Sequence, residues 1–226
     1  MQNRRGLFAG MQSGRLSGFV PYKGTKDLPN AGRISRFIRN FVDMKVALCQ
    51  FSMEWEAAAR NLRRAEELVA QAGADLALLP EMFATGFVTE PWRTALPDEE
   101  ELLAWMRRTA RRYATALAGS AVVRSGDRFA NRFFFVRPAG GAERYDKRHL
   151  FSIGGEDAHF VAGRRRVVVE YGGLRFLPLV CYDLRFPVWC RCHSDYDAIL
   201  CVASWPAPRR EVWRTLLRAR AIENQC

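Results

Sequence analysis

From Met44 onward, short unbroken apolar runs alternate with stretches whose apolar residues recur every three or four positions. Lys45 to Phe51 has the length and composition of a strand. Trp55, Ala58, Ala59, Leu62, Ala65, Val69 and Ala72 then fall at helical spacing, and Gly73 offers the left-handed residue that stops a helix. Asp75 to Pro80, apolar through Leu76-Ala77-Leu78-Leu79, is a second strand. Two strands joined through a helix pair in parallel, in a sheet that helices cover. After a loop carrying Gly86, Pro91 and Pro97, Asp98-Glu99-Glu100-Glu101 puts negative charge at the start of the next helix, where the helix dipole favours it. Leu102, Leu103, Met106 and Tyr113 form that helix's apolar face.

The middle of the chain switches to hairpins. Ala116 to Val123 and Arg128 to Arg137 read as two strands joined at Ser125-Gly126-Asp127. Ala139-Gly140-Gly141 turns the chain again before Glu143-Arg144-Tyr145-Asp146-Lys147. Arg166 to Glu170 and Leu174 to Val180 flank Tyr171-Gly172-Gly173 as a further hairpin. Asp197 to Ala203 is another apolar strand, and Arg209 to Asn224 a helix with Val212, Leu216, Leu217 and Ile222 available for packing. The pattern describes one layered, mixed α/β domain without an internal repeat.

Composition refines this picture. The chain has 226 residues, 49% of them hydrophobic, enough for one well-buried core. Its formal charge is +11, of which +6 lies in residues 1–43. A nucleic-acid or membrane partner would therefore rest on that segment, and none is expected of the body. No run approaches the roughly 18 apolar residues of a membrane-spanning helix, and there is no secretory apolar region. Residues 1–43 form a basic, irregular extension: a targeting segment, a nucleic-acid-binding arm, or upstream sequence ahead of a start at Met44. We favour the last, because Met44 immediately precedes the first convincing strand. Cys49 and Cys201 sit inside apolar runs as small hydrophobes, a usage that points to a reducing, cytoplasmic setting. Cys190-Arg191-Cys192-His193 has no second ligand pair at zinc spacing, so no metal is expected.

The chemistry gathers at strand ends. Leu174 to Val180 terminates on Cys181, and Pro187 suits the first turn of a short helix beyond it. A thiol at that place is held rigidly, near the rim where open α/β sheets put their chemistry. An ordinary cysteine is only a few per cent thiolate at neutral pH, so a nucleophilic Cys181 requires a base or a cationic neighbour. Glu81 follows one buried strand and Lys147 follows another, so three strands each offer one reactive side chain. Taken singly, such residues are usually a core cysteine, a solvated glutamate and a surface lysine. His149 and His159 keep a papain-like cysteine–histidine pairing open, whereas no Gly-x-Ser-x-Gly elbow supports a serine hydrolase.

Three blocks carry a resemblance: Leu-Pro-Glu81-Met-Phe, Tyr-Asp-Lys147-Arg-His-Leu-Phe and Val-Cys181-Tyr-Asp-Leu-Arg-Phe-Pro. In order and spacing they resemble the signature blocks of the nitrilase superfamily of carbon–nitrogen hydrolases. Ser204-Trp205-Pro206 and Arg218-Ala-Arg-Ala-Ile-Glu223-Asn-Gln resemble its later blocks, so the likeness spans Met44 to Cys226. The chain is most similar to the bacterial omega-amidase branch, which hydrolyses the terminal amide of 2-oxo acid amides such as 2-oxoglutaramate. The resemblance implies a four-layer α-β-β-α sandwich and a Glu81–Lys147–Cys181 triad. It implies Glu81 as base, Lys147 and the Tyr182 backbone N–H as oxyanion donors, and Glu156, in Gly155-Glu156-Asp157, as the group that orients Lys147 and binds the leaving amine. No cofactor is implied. Phe83, Arg185 and Trp205 are the candidate substrate contacts, Arg185 for a carboxylate or, equally, as an ion pair holding its own turn.

Nitrile and N-carbamoyl amine substrates use the same triad and stay open. Members of the family usually continue past the Glu-Asn-Gln-Cys segment with a further strand and a region that completes the sandwich and often a homodimer. The expectation is therefore a sandwich incomplete at its C-terminus, with an inactive paralogue acting as a binding partner as the second reading.

Overall fold

The computed structural model describes residues 12–14, 44–93 and 98–226. Apart from Gln12–Gly14, the extension over 1–43 lies outside the described residues. The first sheet runs in spatial order β1 (Gln12–Gly14), β2 (Val46–Leu48), β3 (Leu76–Leu78), β4 (Ala116–Ser125), β5 (Arg128–Val136) and β6 (Ala142–Asp146). β2, β3 and β4 are parallel neighbours; β1 on one side and β5 and β6 on the other add antiparallel. The parallel β2–β3 pair is bridged by α1 (Ala58–Ala72), and α2 (Glu99–Arg112) leads into β4. The second sheet is β7 (Val169–Tyr171), β8 (Leu174–Val180) and β9 (Ala198–Val202), with β7 antiparallel and β9 parallel to β8. Beyond it, α5 (Arg210–Asn224) follows the one-turn α4 (Pro187–Cys190).

Strand alternation sorts the side chains into layers. Leu76, Ala118, Phe133 and Phe135 of the first sheet face Val169, Phe176, Val180 and Val202 of the second, filling the space between them. Their neighbours Ala77, Leu117 and Phe134 point the other way, onto Leu68 and Val69 of α1 and Leu103 and Met106 of α2. Leu177, Leu179, Ile199 and Cys201 face outward from the second sheet and meet Trp213, Leu216 and Leu217 of α5. The architecture is thus a four-layer α-β-β-α sandwich. Full burial of each phenylalanine in these layers is worth about 1.5–3 kcal/mol.

Several boundaries differ from the periodic reading, each for a local reason. β2 ends at Leu48 because the chain turns at Gln50, whose N–H donates to the Leu48 carbonyl at 3.1 Å. α1 begins at Ala58, and Trp55, placed on its apolar face by spacing, is exposed. The Asn61 side chain holds both backbone groups of Glu54, at 2.8 and 2.7 Å, and so fixes the turn at Trp55 and Glu56 that leads into the helix. The hairpin arm expected from Arg166 pairs only from Val169, because the Arg166 guanidinium is drawn to Asp195 and to the Trp189 and Arg191 carbonyls. On α5, Leu216 and Leu217 pack as expected while Val212 and Ile222 face outward.

Candidate active site

Glu81 is delivered by β3. The ladder to β4 continues past Leu78, with Leu79 N–H donating to the Ala118 carbonyl at 2.7 Å and Ser120 N–H to the Pro80 carbonyl at 3.4 Å. Ser120 then pins the following turn: its hydroxyl accepts from Met82 N–H and its carbonyl from Phe83 N–H. Lys147 is delivered by β6, its N–H donating to the Asn131 carbonyl at 2.9 Å. The Lys147 carbonyl accepts from Gly163 N–H at 2.9 Å, an approach that only glycine permits, since a Cβ there would lie 2.0 Å from the Asp146 carbonyl oxygen. Glu156 opens α3 (Glu156–His159) after Gly155, whose φ of +78° turns the chain inward.

Cys181 follows the last residue of β8. Its φ is +48°, an uncommon conformation for a residue with a side chain, and the chain passes directly into a 3-10 turn over Cys181–Arg185. The turn is held by Asp183, fully buried, which folds back to accept from Val180 N–H at 3.0 Å. The same carboxylate accepts from the Tyr145 hydroxyl and from His149 N–H, both at 2.8 Å, so it ties the Cys181 turn to the Lys147 turn.

Glu81, Lys147 and Glu156 meet in the interior with fully buried side chains. Lys147 Nζ donates to Glu81 Oε1 at 2.9 Å and to Glu156 Oε2 at 2.8 Å. An ammonium has three donors, and these bonds use two. Phe151 N–H donates to Glu156 Oε2 at 2.7 Å, and Ser204 N–H, just past β9, to Glu81 Oε2 at 2.9 Å. The Asn131 amide donates to Glu81 Oε1 at 2.9 Å and Glu156 Oε1 at 3.0 Å. Its own Oδ1 is buried without a partner among the described residues, a cost of about 1–3 kcal/mol. Two carboxylates thus share one ammonium, and amide N–H groups supply the remaining compensation.

Electrostatics at the thiol follow from this arrangement. Burial holds the Cys181 pKa well above its ordinary 9.0; the nearby Glu81 carboxylate raises it further and Lys147 opposes. The thiol is therefore protonated at neutral pH and cannot act without a base. For Lys147, burial favours the neutral amine, but Glu81, Glu156 and Cys181 outweigh it and hold the pKa raised, so the group stays an ammonium.

The remaining candidates separate. Tyr182, Arg185 and Trp205 cluster together: the Arg185 guanidinium lies 5.9 Å from the Tyr182 ring and 5.3 Å from that of Trp205. No carboxylate among the described residues pairs with Arg185. Phe83 does not join them. It is fully buried on the helix side, against Trp105 and against Gly119, where a Cβ would come within 2.9 Å of its ring. Phe87, which the sequence did not single out, instead has its ring 5.9 Å from Lys147 Nζ. His149 contacts Asp183 at 2.8 Å and stacks on Phe186, and His159 packs on Trp92; the leading charges on Cys181 are Glu81 and Lys147. Asn131, Ser204 N–H and Asp183 were also missed. Asn131 carried a signal, a polar residue at an inward position between Phe129 and Phe133.

The family model for carbon-nitrogen hydrolase matches residues 45–226. The chain belongs to the carbon–nitrogen hydrolase family. It is 48% identical to Omega-amidase YafV of Yersinia enterocolitica, covering 80% of this chain and 71% of that protein. It is 32% identical to 2-oxoglutaramate amidase of Bacillus subtilis, over 80% and 73%. Among solved structures it resembles XC1258 from Xanthomonas campestris, a CN-hydrolase superfamily protein with an arsenic adduct in its active site. The TM-score there is 0.76 at 40% identity, covering 81% of this chain and 73% of that one. A mutant amidase from Nesterenkonia sp. AN1, showing Michael addition of acrylamide at its active site cysteine, aligns with TM-score 0.71 at 27% identity, over 80% and 75%. Among the described residues of this hydrolase, no group of three or more histidine, cysteine or acidic side chains could hold a metal ion. Nor is any described helix long and apolar enough to cross a membrane.

Proposed function

We propose that this hydrolase cleaves the terminal amide of a short carboxylate-bearing 2-oxo acid amide, the omega-amidase reaction, through a thioester on Cys181. The observation that carries the reading is Lys147, buried between Glu81 and Glu156 with one donor left over. The names of the relatives, omega-amidase and 2-oxoglutaramate amidase, support the substrate class.

Glu81 Oε1 already accepts two hydrogen bonds and Oε2 only one, so Oε2 has the free site for a proton. In the first stage the Cys181 proton passes to Glu81 as sulfur attacks the amide carbon. The oxyanion takes the third Lys147 N–H and the backbone N–H of Tyr182; losing one such donor costs roughly 3–4 kcal/mol. Collapse breaks the C–N bond, Glu81 returns its proton to the nitrogen, and ammonia leaves a thioester. In the second stage water gives its proton to Glu81 and attacks the thioester carbon, the acid departs, and the proton returns to sulfur. A positioned base of this kind contributes about 10²–10⁴-fold. Glu156 keeps Lys147 aimed, and Arg185, between Tyr182 and Trp205, pairs with the substrate carboxylate. The steps route every proton through Glu81 and call on no cofactor.

We place the catalytic unit in residues 44–226, as a cytoplasmic enzyme and a homodimer. The test is ammonia release from 2-oxoglutaramate beside a nitrile and an N-carbamoyl amine of equal length. Turnover confined to the 2-oxo acid amide supports the reading; preference for either alternative refutes the substrate class, and release from none refutes the enzyme.

A further inference from the structure

We propose that Asn131 is a positioning residue that holds Glu81 and Glu156 in their working geometry and leaves Glu81 Oε2 as the oxygen that takes the proton. The inference rests on the cysteine-hydrolase reading of the same site. Asn131 is fully buried and touches all three charged residues: its side-chain amide serves both carboxylates, and its backbone carbonyl accepts from Lys147 N–H. Its place is fixed by β5, where it pairs across to Val122 of β4 while the next residue, Arg132, pairs with Asp146 of β6.

The orientation of the amide is decided by its surroundings. Turned over, the carbonyl oxygen would face two carboxylates, and both donors would be lost. The orientation adopted leaves Oδ1 buried and unpartnered. A residue selected only to fill space would carry no such unmet acceptor, because leucine offers similar volume without polar atoms. The two donors have a definite effect. With one ammonium between two carboxylates, the Asn131 amide occupies the second site on Glu81 Oε1 and the single used site on Glu156 Oε1. Glu81 can then neither swing toward Glu156 nor accept the thiol proton at Oε1.

The test compares Asn131→Leu and Asn131→Asp in the full chain, after thermal melting establishes which variants fold. Leucine removes the donors and adds no polar group; aspartate keeps the shape but replaces donors with acceptors. Positioning predicts a kcat reduced by about 100-fold, the scale of a 1 Å misplacement. It predicts a KM within about twofold of wild type, since Asn131 is assigned no contact with substrate. A second readout, the rate of Cys181 alkylation by iodoacetamide at neutral pH, falls alongside kcat. Alkylation does not need the physiological amide, so a wrong substrate class would abolish turnover yet leave this comparison intact. A kcat and alkylation rate close to wild type in Asn131→Leu, or in a folded Asn131→Asp, overturns the proposal.

Discussion

Ser204 donates its backbone N–H to Glu81 Oε2 at 2.9 Å across 123 positions of sequence. Glu81 leaves a strand of the first sheet and Ser204 leaves β9 of the second, so this bond spans the two sheets at their shared rim. Asp183 makes a parallel connection, from the Cys181 turn to Tyr145 and His149 beside Lys147. The site is therefore not a property of either sheet alone. Packing between the sheets sets the separation of acid, ammonium and thiol.

If Glu81 is the base, Glu81→Gln keeps the shape and most hydrogen bonds but cannot take the thiol proton. Turnover should fall by about 10²–10⁴-fold, with Cys181 no longer acylated by substrate. Acyl-enzyme formation at the wild-type rate in this variant, read by intact mass after quenching, would place the base elsewhere.

Among the described residues, Lys147 is the sole ammonium between two buried carboxylates. Lys147→Met should destabilise the fold by about 3–5 kcal/mol, because it strands two buried negative charges. Adding Glu156→Gln should recover part of that stability without recovering activity. Urea unfolding of the single and double variants checks this, and equal stability of wild type and Lys147→Met would contradict it.

Arg185 has aromatic rings for neighbours and no carboxylate among the described residues. Arg185→Met should raise KM for a carboxylate-bearing amide by about tenfold or more, the scale of a charge-assisted hydrogen bond. A neutral short amide should be unaffected. Equal effects on both substrates would assign Arg185 to the turn rather than to substrate.

Burial pushes the thiols of Cys49 and Cys190 up to about 11 and about 12, from an ordinary 9.0. A pKa raised on folding stabilises the folded chain fully below the unfolded value, and that contribution disappears as pH climbs through the folded value. These thiols should therefore cost no stability up to about pH 9 and progressively more above it. Urea midpoints measured from neutral to strongly alkaline pH should stay level and then fall, with Cys190→Ala flattening the fall. A loss that begins well below pH 9 would show that other groups dominate.

Much of the layering was legible in the sequence, because strand alternation and helical spacing act locally. Leu76-Ala77-Leu78 and Phe133-Phe134-Phe135 reveal strands buried on both faces. Glu81, Lys147 and Cys181 were legible as strand-end residues within ordered blocks, and the structure brings Glu81 and Lys147 into direct contact. Phe83 was misread because adjacency in sequence to Glu81 says nothing about direction: Met82, at a φ of +50°, turns the chain and sends Phe83 into the helix-side core. Asp183 and Ser204 N–H escaped because their roles depend on contacts between sheets, and Asn131 because its partners Glu81 and Glu156 lie far from it in sequence. The inward position of Asn131 between Phe129 and Phe133 marks a polar residue in the core but does not say which partners it meets.

The most direct measurement is peptide mapping of the enzyme quenched in acid during turnover of 2-oxoglutaramate. The acyl group should be found on Cys181 as a thioester, and Cys181→Ala should melt like wild type while releasing no ammonia. An acyl group on another residue, or ammonia release by folded Cys181→Ala, would contradict the convergence of these side chains into one catalytic site.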